Sequence, residues 1–329
     1  MSALHHLHLE VNNPCRLVKR SCMIVSEKAS LVRINHAAVD SLAASIEKEG
    51  FGTTTVNWDD CGWHYIDKDG GPLTAQYTLV LDALNFCFWP EKGMEYDDLA
   101  VSLRNVLVQD ANAFNAENLS TMNVDKLSSW FPKHTLPQVE ERVDCLQELG
   151  QVLARDFDGL ALNAVKASKN SAVQFVNLML AHFPHFRDTA MYDGRLIHFY
   201  KRAQILTGDL WAAYGKPTDP QHPCCFSDIA ELTMFADYRV PQILRVMNVL
   251  EYAPELALII DNLEELPWGS RGEVEIRAQT VIAVELLQKA LFKRGCPLMT
   301  LECDWLLWQK GEEMKDKILP HHRTFSIYY

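Results

Sequence analysis

The sequence lacks the motifs of the common metal, nucleotide and hydrolase sites. Its 12 histidines form no His-Glu-x-x-His pair and its 9 cysteines form no Cys-x-x-Cys pair, so the usual zinc-ligand spacings are missing. The glycine-rich phosphate loops and the Gly-x-Ser-x-Gly turn of α/β-hydrolases are missing as well. We therefore predict that the protein uses neither a metal ion nor another cofactor.

Long apolar runs are also missing. No stretch approaches the roughly 18 uninterrupted apolar residues of a membrane-spanning helix, and the first residues lack the apolar core of a signal peptide. An odd number of cysteines without paired spacing is typical of reduced thiols in an intracellular protein. These features predict a cytoplasmic protein with no membrane partner.

Positive charge is scarce: 31 basic residues stand against 43 acidic ones, which gives a formal net charge of −12. Nucleic-acid-binding surfaces are normally basic, because phosphate contacts need cations. We therefore expect no stable nucleic-acid partner, although a small basic pocket for one phosphate group remains compatible with this charge. We expect the protein to act as a monomer.

Helical patterns dominate the chain, and they predict a mostly α fold with one compact domain over residues 1–329. Residues 1–34 are expected to pack on this domain or to flank it. One patch differs, because Thr53–Trp58 favours extended structure and Asp69–Pro72 is a strong turn signal. We therefore predict a small β element near residues 51–76.

An elbow between two helices is predicted around Asp237. The apolar run Ile229–Phe235 indicates one helix with Ser227 as its N-cap, and Pro241 suits the first turn of the next helix. Asp237 and Arg239 would lie between them, where a carboxylate and a guanidinium can border a cleft. A purely structural ion pair that fixes the elbow is the alternative interpretation.

Three polar side chains interrupt apolar segments. Asp82 and Asn85 lie in Leu79–Trp89, and Lys201 lies in Leu196–Tyr214, a segment predicted to be one buried helix. A buried polar group without a partner costs about 1–3 kcal/mol, so Asp82 and Asn85 should cap local backbone or face a ligand. Lys201 should either extend its ammonium group to water or meet an anion.

A capping box opens the long helix Val274–Lys293. It pairs Ser270 with Glu273, and Gly295 follows the last turn. Glu273, Glu275 and Arg277 fall in or next to the first two turns. Capping is the simplest role for Glu273, because a carboxylate there suits the helix dipole.

Five stretches of the chain carry a family resemblance. They are Leu81–Trp89, Phe199–Leu206, Phe235–Gln242, Glu273–Ala278, and His322–Thr324 with Ile327–Tyr329. Together they resemble the queuosine salvage protein family, which consists of queuosine 5′-phosphate N-glycosylases. They occur in the family's order, and their combination is specific although none of them is specific alone.

The resemblance implies hydrolysis of queuosine 5′-phosphate, a small nucleotide, to queuine and ribose 5-phosphate, for queuine salvage into tRNA modification. It also implies a fold similar to that of helical DNA glycosylases. The implied catalytic residues are Asp237 and Lys201. The implied substrate-binding residues are Asp82, Asn85, Phe86, Trp89, Arg239, Gln242, Glu273, Glu275, Arg277 and Arg323.

The residue types fit this chemistry. Cleavage of an N-glycosidic bond passes through an oxocarbenium-like ribose, which the carboxylate of Asp237 would stabilise. Asp82 and Asn85 are the candidates for hydrogen bonds to the base edge, and Phe86 is the candidate for stacking on the base. Lys201 is the first candidate for the 5′-phosphate, followed by Arg239, Arg277 and Arg323.

Two other functions stay open at this point. A DNA or nucleotide glycosylase acting on another modified base is one, because Leu263-x-x-Leu266-Pro267-x-Gly269 resembles part of a helix-hairpin-helix turn. The second glycine of that turn is missing, and a charge of −12 suits duplex DNA poorly. A non-catalytic helical interaction module is the other. Salt-dependent retention on DNA would identify the first, and absence of base release the second.

Substitution of Asp82 tests recognition of the base. A site that binds polar groups rejects analogues without them steeply, because its own buried groups lose their partners. The protein should therefore release queuine and leave AMP and GMP intact. Asp82→Ala should lower kcat/KM for queuosine 5′-phosphate without raising the Tm. A more stable Asp82→Ala protein with the parent's kinetics would exclude Asp82 from recognition.

Overall fold

The computed structural model describes residues 13–50, 61–68, 70–90, 94–315 and 317–329. Helices predominate in these residues, with two small strand pairs beside them, so the prediction of a mostly α fold is confirmed. No helix in this part of the chain is both long and apolar enough to cross a bilayer.

Fourteen α-helices lie in the described residues. They are α1 (Pro14–Ser26), α2 (His36–Lys48), α3 (Pro72–Ala83), α4 (Tyr96–Gln109), α5 (Ala116–Ser120), α6 (Val124–Ser129), α7 (Val139–Asp156), α8 (Ala161–Ala167), α9 (Ala172–His182), α10 (Lys201–Ala213), α11 (Arg239–Val246), α12 (Pro254–Asp261), α13 (Arg271–Lys293) and α14 (Thr300–Met314). Single turns of 3-10 helix are formed by Pro184–Phe186 and Ile229–Glu231.

Four short strands form two antiparallel pairs. They are β1 (Val32–Ile34), β2 (Thr189–Tyr192), β3 (Arg195–His198) and β4 (Leu250–Tyr252), and β1 pairs with β4 while β2 pairs with β3. The turn between β2 and β3 consists of Asp193 and Gly194, with φ of 48° and 74°. Two consecutive positive φ angles match the twist of a two-residue hairpin, which explains the Asp-Gly pair.

The β element predicted near residues 51–76 depends on Thr53–Trp58, which lie outside the described residues. Residues 51–60 and residue 69 lie outside the described part, while residues 61–68 and 70–71 form turns and irregular chain. Pro72 then begins α3, a position that suits proline because the first helical N–H needs no partner within the helix. The strands that do form are paired with distant segments or across a hairpin.

The first of two compact units comprises the described residues of the ranges 1–56, 188–201 and 230–325. Its central element is α13, which packs against α1, α2, β1, α11 and α14. Ser270 caps α13 as predicted, because its side chain accepts the N–H of Glu273. The described part of the predicted N-terminal segment thus includes α1, which packs on α13.

The second unit comprises the described residues of the ranges 57–187, 202–229 and 326–329. Its most deeply buried element is α3, in which every residue from Thr74 to Ala83 is buried. This helix packs against α4, α7 and α8, and α7 packs against α5 and α6. Gly150 permits a close approach there, because a Cβ atom at this position would lie 2.2 Å from the backbone nitrogen of Ser120. The single domain over residues 1–329 stays a prediction.

Two helix predictions need correction. Residues 196–198 belong to strand β3, and the buried helix begins only at Lys201. The helix predicted over Ile229–Phe235 is a single 3-10 turn followed by irregular chain. Residues 195–198 pair with β2 instead, and the N–H of Phe235 donates to the side chain of Asp304 rather than to a helical carbonyl.

Candidate active site

Asp237 lies in the irregular chain that leads into α11. Its Oδ1 atom accepts the backbone N–H of Val240 at 3.0 Å, so the carboxylate satisfies a donor of the first helical turn and lies at the positive end of the helix dipole. Pro241 occupies that turn, as predicted. Asp237 as a whole is half-buried, while burial of its carboxyl group raises its pKa.

Arg239 forms side-chain hydrogen bonds with Glu312 and Gln242. Its Nε atom donates to Glu312 Oε1 at 2.6 Å, and its Nη1 atom donates to Gln242 Oε1 at 2.6 Å. Gln242 in turn donates to the carbonyl of Leu319 at 2.8 Å. Arg239 and Gln242 are both buried, so these two predicted site residues hold each other in place next to Asp237.

Lys201 is the first residue of α10 and is only 4% exposed. Its backbone N–H donates to Asp188 Oδ2 at 3.1 Å. The charge of Lys201 lowers the pKa values of Asp237 and of Asp304, which opposes the effect of burial on both. Of the two interpretations of Lys201, the structure supports an ammonium group that meets anions rather than one that extends to water.

Asp304 completes a polar cluster that sequence reasoning missed. It is a buried residue of α14, and its Oδ1 atom accepts the N–H of Phe235 at 2.9 Å. We use the name acid–lysine cluster for Asp237, Lys201 and Asp304. The available signal was a single acidic residue within the otherwise apolar stretch 303–308, the same kind of signal that pointed to Asp82.

The two carboxyl groups of the acid–lysine cluster differ in environment. Burial raises the pKa of Asp237, while Lys201, the N–H of Val240 and Arg239 lower it. Burial raises the pKa of Asp304 well above its ordinary value, and the charge of Asp237 raises it further. Asp237 therefore ionises first, and Asp304 retains its proton to higher pH.

Arg277 and Glu273 lie in the first turns of α13, and both are fully buried. Arg277 forms a two-bond ion pair with Asp188, with distances of 3.0 Å to Oδ1 and 2.6 Å to Oδ2, and it lies 3.5 Å from Glu273. Glu273 also accepts the N–H of Gly269 at 3.1 Å, which agrees with the capping role. Asp188 was missed because it lies in a polar connector with no distinctive sequence signal.

Glu275 and Arg323 make contacts with the protein itself. The carboxylate of Glu275 accepts three backbone N–H groups at 2.7–3.1 Å, those of residues 30–32, and also the hydroxyl of Tyr192 at 2.8 Å. The backbone carbonyl of Arg323 accepts the N–H of Leu266 at 2.8 Å. Substrate contact by these two side chains stays a prediction.

In the second unit, Asp82 and Asn85 are buried and contact each other. The amide of Asn85 donates to Asp82 Oδ1 at 3.3 Å. The charge of Asp82 also raises the pKa values of Tyr77 and Tyr96, after the larger effect of burial. Asp209, another buried carboxyl in an apolar helix, raises the same two values and was not predicted. These residues form a second buried polar cluster.

Phe86 is fully buried, with the guanidinium groups of Arg142 and Arg202 at 4.3 and 5.0 Å from its ring centroid. Arg142 also donates to the carbonyls of Leu84, Phe86 and Cys87. Trp89 is half-buried and packs against Phe86 and Cys87. The ring of Phe86 thus has cationic neighbours in the protein, and its stacking on a base stays a prediction.

The described part of the chain contains no group of three His, Cys, Asp or Glu side chains arranged to hold a metal ion. His321 and His322, which follow α14, have pKa values lowered chiefly by burial. The chemistry that the observed residues support is that of a half-buried aspartate beside an ammonium group.

A sequence model described as queuosine salvage protein matches residues 63–329. The matched range contains all residues of both polar clusters and every residue proposed for the site. The match confirms the family resemblance that the five sequence stretches indicated.

Curated relatives match along nearly the whole chain. The chain is similar to proteins named queuosine 5′-phosphate N-glycosylase/hydrolase from Dictyostelium discoideum, with 43% identity over 96% of this chain and 100% of the relative, and from Sphaerobacter thermophilus, with 40% identity over 93% and 95%. A mouse protein of the same name is 32% identical over 94% of this chain and 98% of its own length.

Replacement of Asp304 by asparagine tests the electrostatics of the acid–lysine cluster. Because the folded state raises the pKa of Asp304, the folded protein loses stability relative to the unfolded chain as pH rises above the ordinary carboxyl value. Asparagine cannot ionise, and it still accepts the N–H of Phe235. The Tm of Asp304→Asn minus that of the parent should therefore increase from pH 4 to pH 8, with each unit of pKa shift equivalent to about 1.4 kcal/mol.

The measurement is thermal unfolding of both proteins at several pH values. Asp261→Asn, a change at an exposed carboxylate of the same unit, is the control for the general effect of removing one charge. A Tm difference for Asp304→Asn that shrinks with rising pH would contradict the proposed protonation of Asp304.

Proposed function

Because the chain belongs to the queuosine salvage protein family, we propose that it hydrolyses the N-glycosidic bond of queuosine 5′-phosphate and releases queuine and ribose 5-phosphate. The protein is thus an N-glycosidase. The observation in the structure that carries this proposal is the acid–lysine cluster, in which the half-buried Asp237 feels the charge of Lys201.

The carboxylate of Asp237 stabilises the ribose as its C1′–N bond breaks. The bond electrons leave with the base, and positive charge develops on C1′ and the ring oxygen. An anion fixed nearby by Val240 and Lys201 stabilises that charge without needing to reorganise. Water then adds its oxygen to C1′, and its proton goes to the base nitrogen, with Asp237 orienting the water molecule.

Queuine is a 7-deazapurine, so protonation at N7 is not available to help it leave. Hydrogen bonds at the base edge must stabilise the leaving group instead. Asp82 and Asn85, a buried hydrogen-bonded pair in the second unit, are proposed for that role. For Phe86, the neighbouring guanidinium groups favour a structural role, and Trp89 is the half-buried aromatic residue proposed for contact with the substrate.

The 5′-phosphate requires a cation. Lys201 remains the first candidate, because its charge acts on Asp237, the carboxylate proposed to act on the ribose. Arg277 pairs with Asp188, and Arg239 pairs with Glu312. Arg323 is the next candidate. A cation shared between the phosphate and Asp237 would join recognition of the nucleotide to activation of the carboxylate, since the same ammonium group would contact both.

The reaction is proposed to need no metal ion or other cofactor, because the chemistry above uses only side chains and water. The proposal also takes the protein to be a cytoplasmic monomer without a membrane partner or a stable nucleic-acid partner. The net charge of −12 supports the last of these and disfavours a glycosylase acting on duplex DNA.

Incubation of the purified protein with queuosine 5′-phosphate tests the function directly. Chromatography should show queuine and ribose 5-phosphate appearing in equal amounts, whereas AMP and GMP should remain intact. If queuosine 5′-phosphate persists while a DNA substrate with a modified base is cleaved, the protein is a glycosylase of another class. If no substrate loses its base, the protein is a binding module.

Asp237→Asn should abolish base release while the fold is kept. The amide has the shape of the carboxylate and can still accept the N–H of Val240, but the negative charge is lost, so we expect kcat/KM to fall at least about 100-fold. Steady-state release of queuine is the measurement, with Asp261→Asn as a matched control outside the cluster. Turnover at the parent's rate would show that Asp237 is only structural.

Lys201→Met should weaken the reaction of phosphorylated substrates far more than that of the nucleoside. Loss of a charge-assisted contact costs about 1.5–3 kcal/mol, or roughly 10- to 150-fold in kcat/KM. The measurement compares queuosine 5′-phosphate with queuosine on each protein. Lys310→Met, which removes a lysine paired with Glu49, is the control. Equal losses on both substrates would remove Lys201 from phosphate recognition and leave it a role on Asp237 alone.

A further inference from the structure

We infer that Asp188 and Arg277 are positioning residues that fix Lys201 and Asp237 relative to each other. This inference rests on the proposed function, because it takes Lys201 and Asp237 as the reacting pair. It also gives Arg277, one of the predicted substrate-binding residues, a different role. Hydrogen bonds on the two sides of the ion pair join it to Lys201 and to the chain next to Asp237.

On one side, Asp188 holds the start of α10. Its Oδ2 atom accepts the backbone N–H of Lys201 at 3.1 Å, and its backbone carbonyl accepts the N–H groups of Phe199 and Tyr200 at 3.0 and 3.1 Å. Tyr200 has a φ of 53°, in the left-handed region that side chains seldom adopt. Asp188 thus binds three consecutive N–H groups, and these bonds fix the position of the Lys201 backbone at the start of α10.

On the other side, Arg277 holds the chain next to Asp237. Its Nε atom donates to the carbonyl of Ala236 at 3.0 Å, while both Nη atoms donate to Asp188. Its guanidinium also lies over the ring of Phe199 at 3.9 Å from the centroid. One planar group therefore binds the residue before Asp237 and the carboxylate that binds Lys201.

The pair is fully buried, with both side chains at most 1% exposed. Buried ion pairs are weak contributors to net stability, because the loss of hydration offsets the attraction. Their distinctive effect is geometric, since a guanidinium fork fixes both distance and orientation. Glu273 is another charged neighbour of Arg277, at 3.5 Å. Burial lowers the pKa of the nearby His322, so this histidine is neutral.

Arg277→Lys is the substitution that separates position from charge. Lysine keeps the positive charge beside Asp188, but a single ammonium group lacks the planar fork that joins Asp188 to the carbonyl of Ala236. Arg245→Lys is a closely matched control. Arg245 also forms a two-bond pair with an aspartate, Asp261, and also lies over an aromatic ring, that of Tyr252.

We expect Arg277→Lys to lower kcat for queuosine 5′-phosphate about 10- to 100-fold with little change in KM, because small displacements of reacting groups have effects of this size. The acid limb of kcat/KM should also move to higher pH. Lys201 lowers the pKa of Asp237, together with Arg239 and the N–H of Val240 and against the effect of burial, so a displaced ammonium group leaves that pKa higher. Arg245→Lys should keep the parent's kcat and pH profile.

The outcomes are distinguishable. Ionisation of the substrate phosphate affects the parent and the variant alike. The test therefore uses only the difference between their pH profiles of kcat/KM. If the parent releases queuine and Arg277→Lys shows the parent's kcat and acid limb, the inference is overturned while the function stands. If the parent releases no queuine, the proposed function fails.

Asp188→Asn provides the second variant if Arg277→Lys does not fold. Its amide oxygen can still accept the N–H of Lys201, but it pairs less strongly with Arg277, so the same loss of kcat and the same shift are expected. Failure of both variants to fold, while Arg245→Lys folds, would also overturn the inference, because the pair would then serve stability rather than position.

Discussion

The removal of two carboxyl groups and one ammonium group from water is the constraint on which the candidate active site depends. Asp304 and Lys201 are almost fully buried, and Asp237 is partly accessible. Three such groups remain together only if their charges and hydrogen bonds compensate for lost hydration. Lys201 compensates for one negative charge, so the second carboxyl must hold a proton. The arrangement thereby provides an ionised and a neutral carboxyl at the same pH.

The rest of the first unit maintains this balance. The N–H of Val240 binds the ionised Asp237, and the N–H of Phe235 binds Asp304. Both donors belong to the chain on either side of Asp237, so one short segment positions both carboxyl groups. Helix α13 supplies Arg277 at the base of this segment. The proposed catalytic carboxylate thus depends on backbone donors and on a long helix whose own start is fixed by the side chain of Ser270.

The elements that could be predicted from the sequence are those with local signals. Ser270 and Gly295 bracket α13 as expected, and the hairpin turn at Asp193 follows from its Asp-Gly pair. Lys201, Asp82 and Asn85 were identified because polar residues in apolar segments need partners, and the structure places all three in buried polar clusters. An element or a site residue could be predicted where the signal for it lies within a few positions along the chain.

The parts that could not be predicted depend on distant partners. Residues 232–236 are buried but not helical, and the N–H of Phe235 donates to Asp304, 69 residues away. Helix α10 begins at Lys201 rather than at Leu196, because residues 196–198 pair with β2 and Asp188 accepts the N–H of Lys201. The most direct test of the account is a ¹³C carboxyl titration of the aspartates, assigned with Asp237→Asn and Asp304→Asn. The account predicts that the Asp237 signal titrates before that of Asp304, which stays protonated well above its ordinary value. An Asp304 signal that titrates with the exposed aspartates would contradict it.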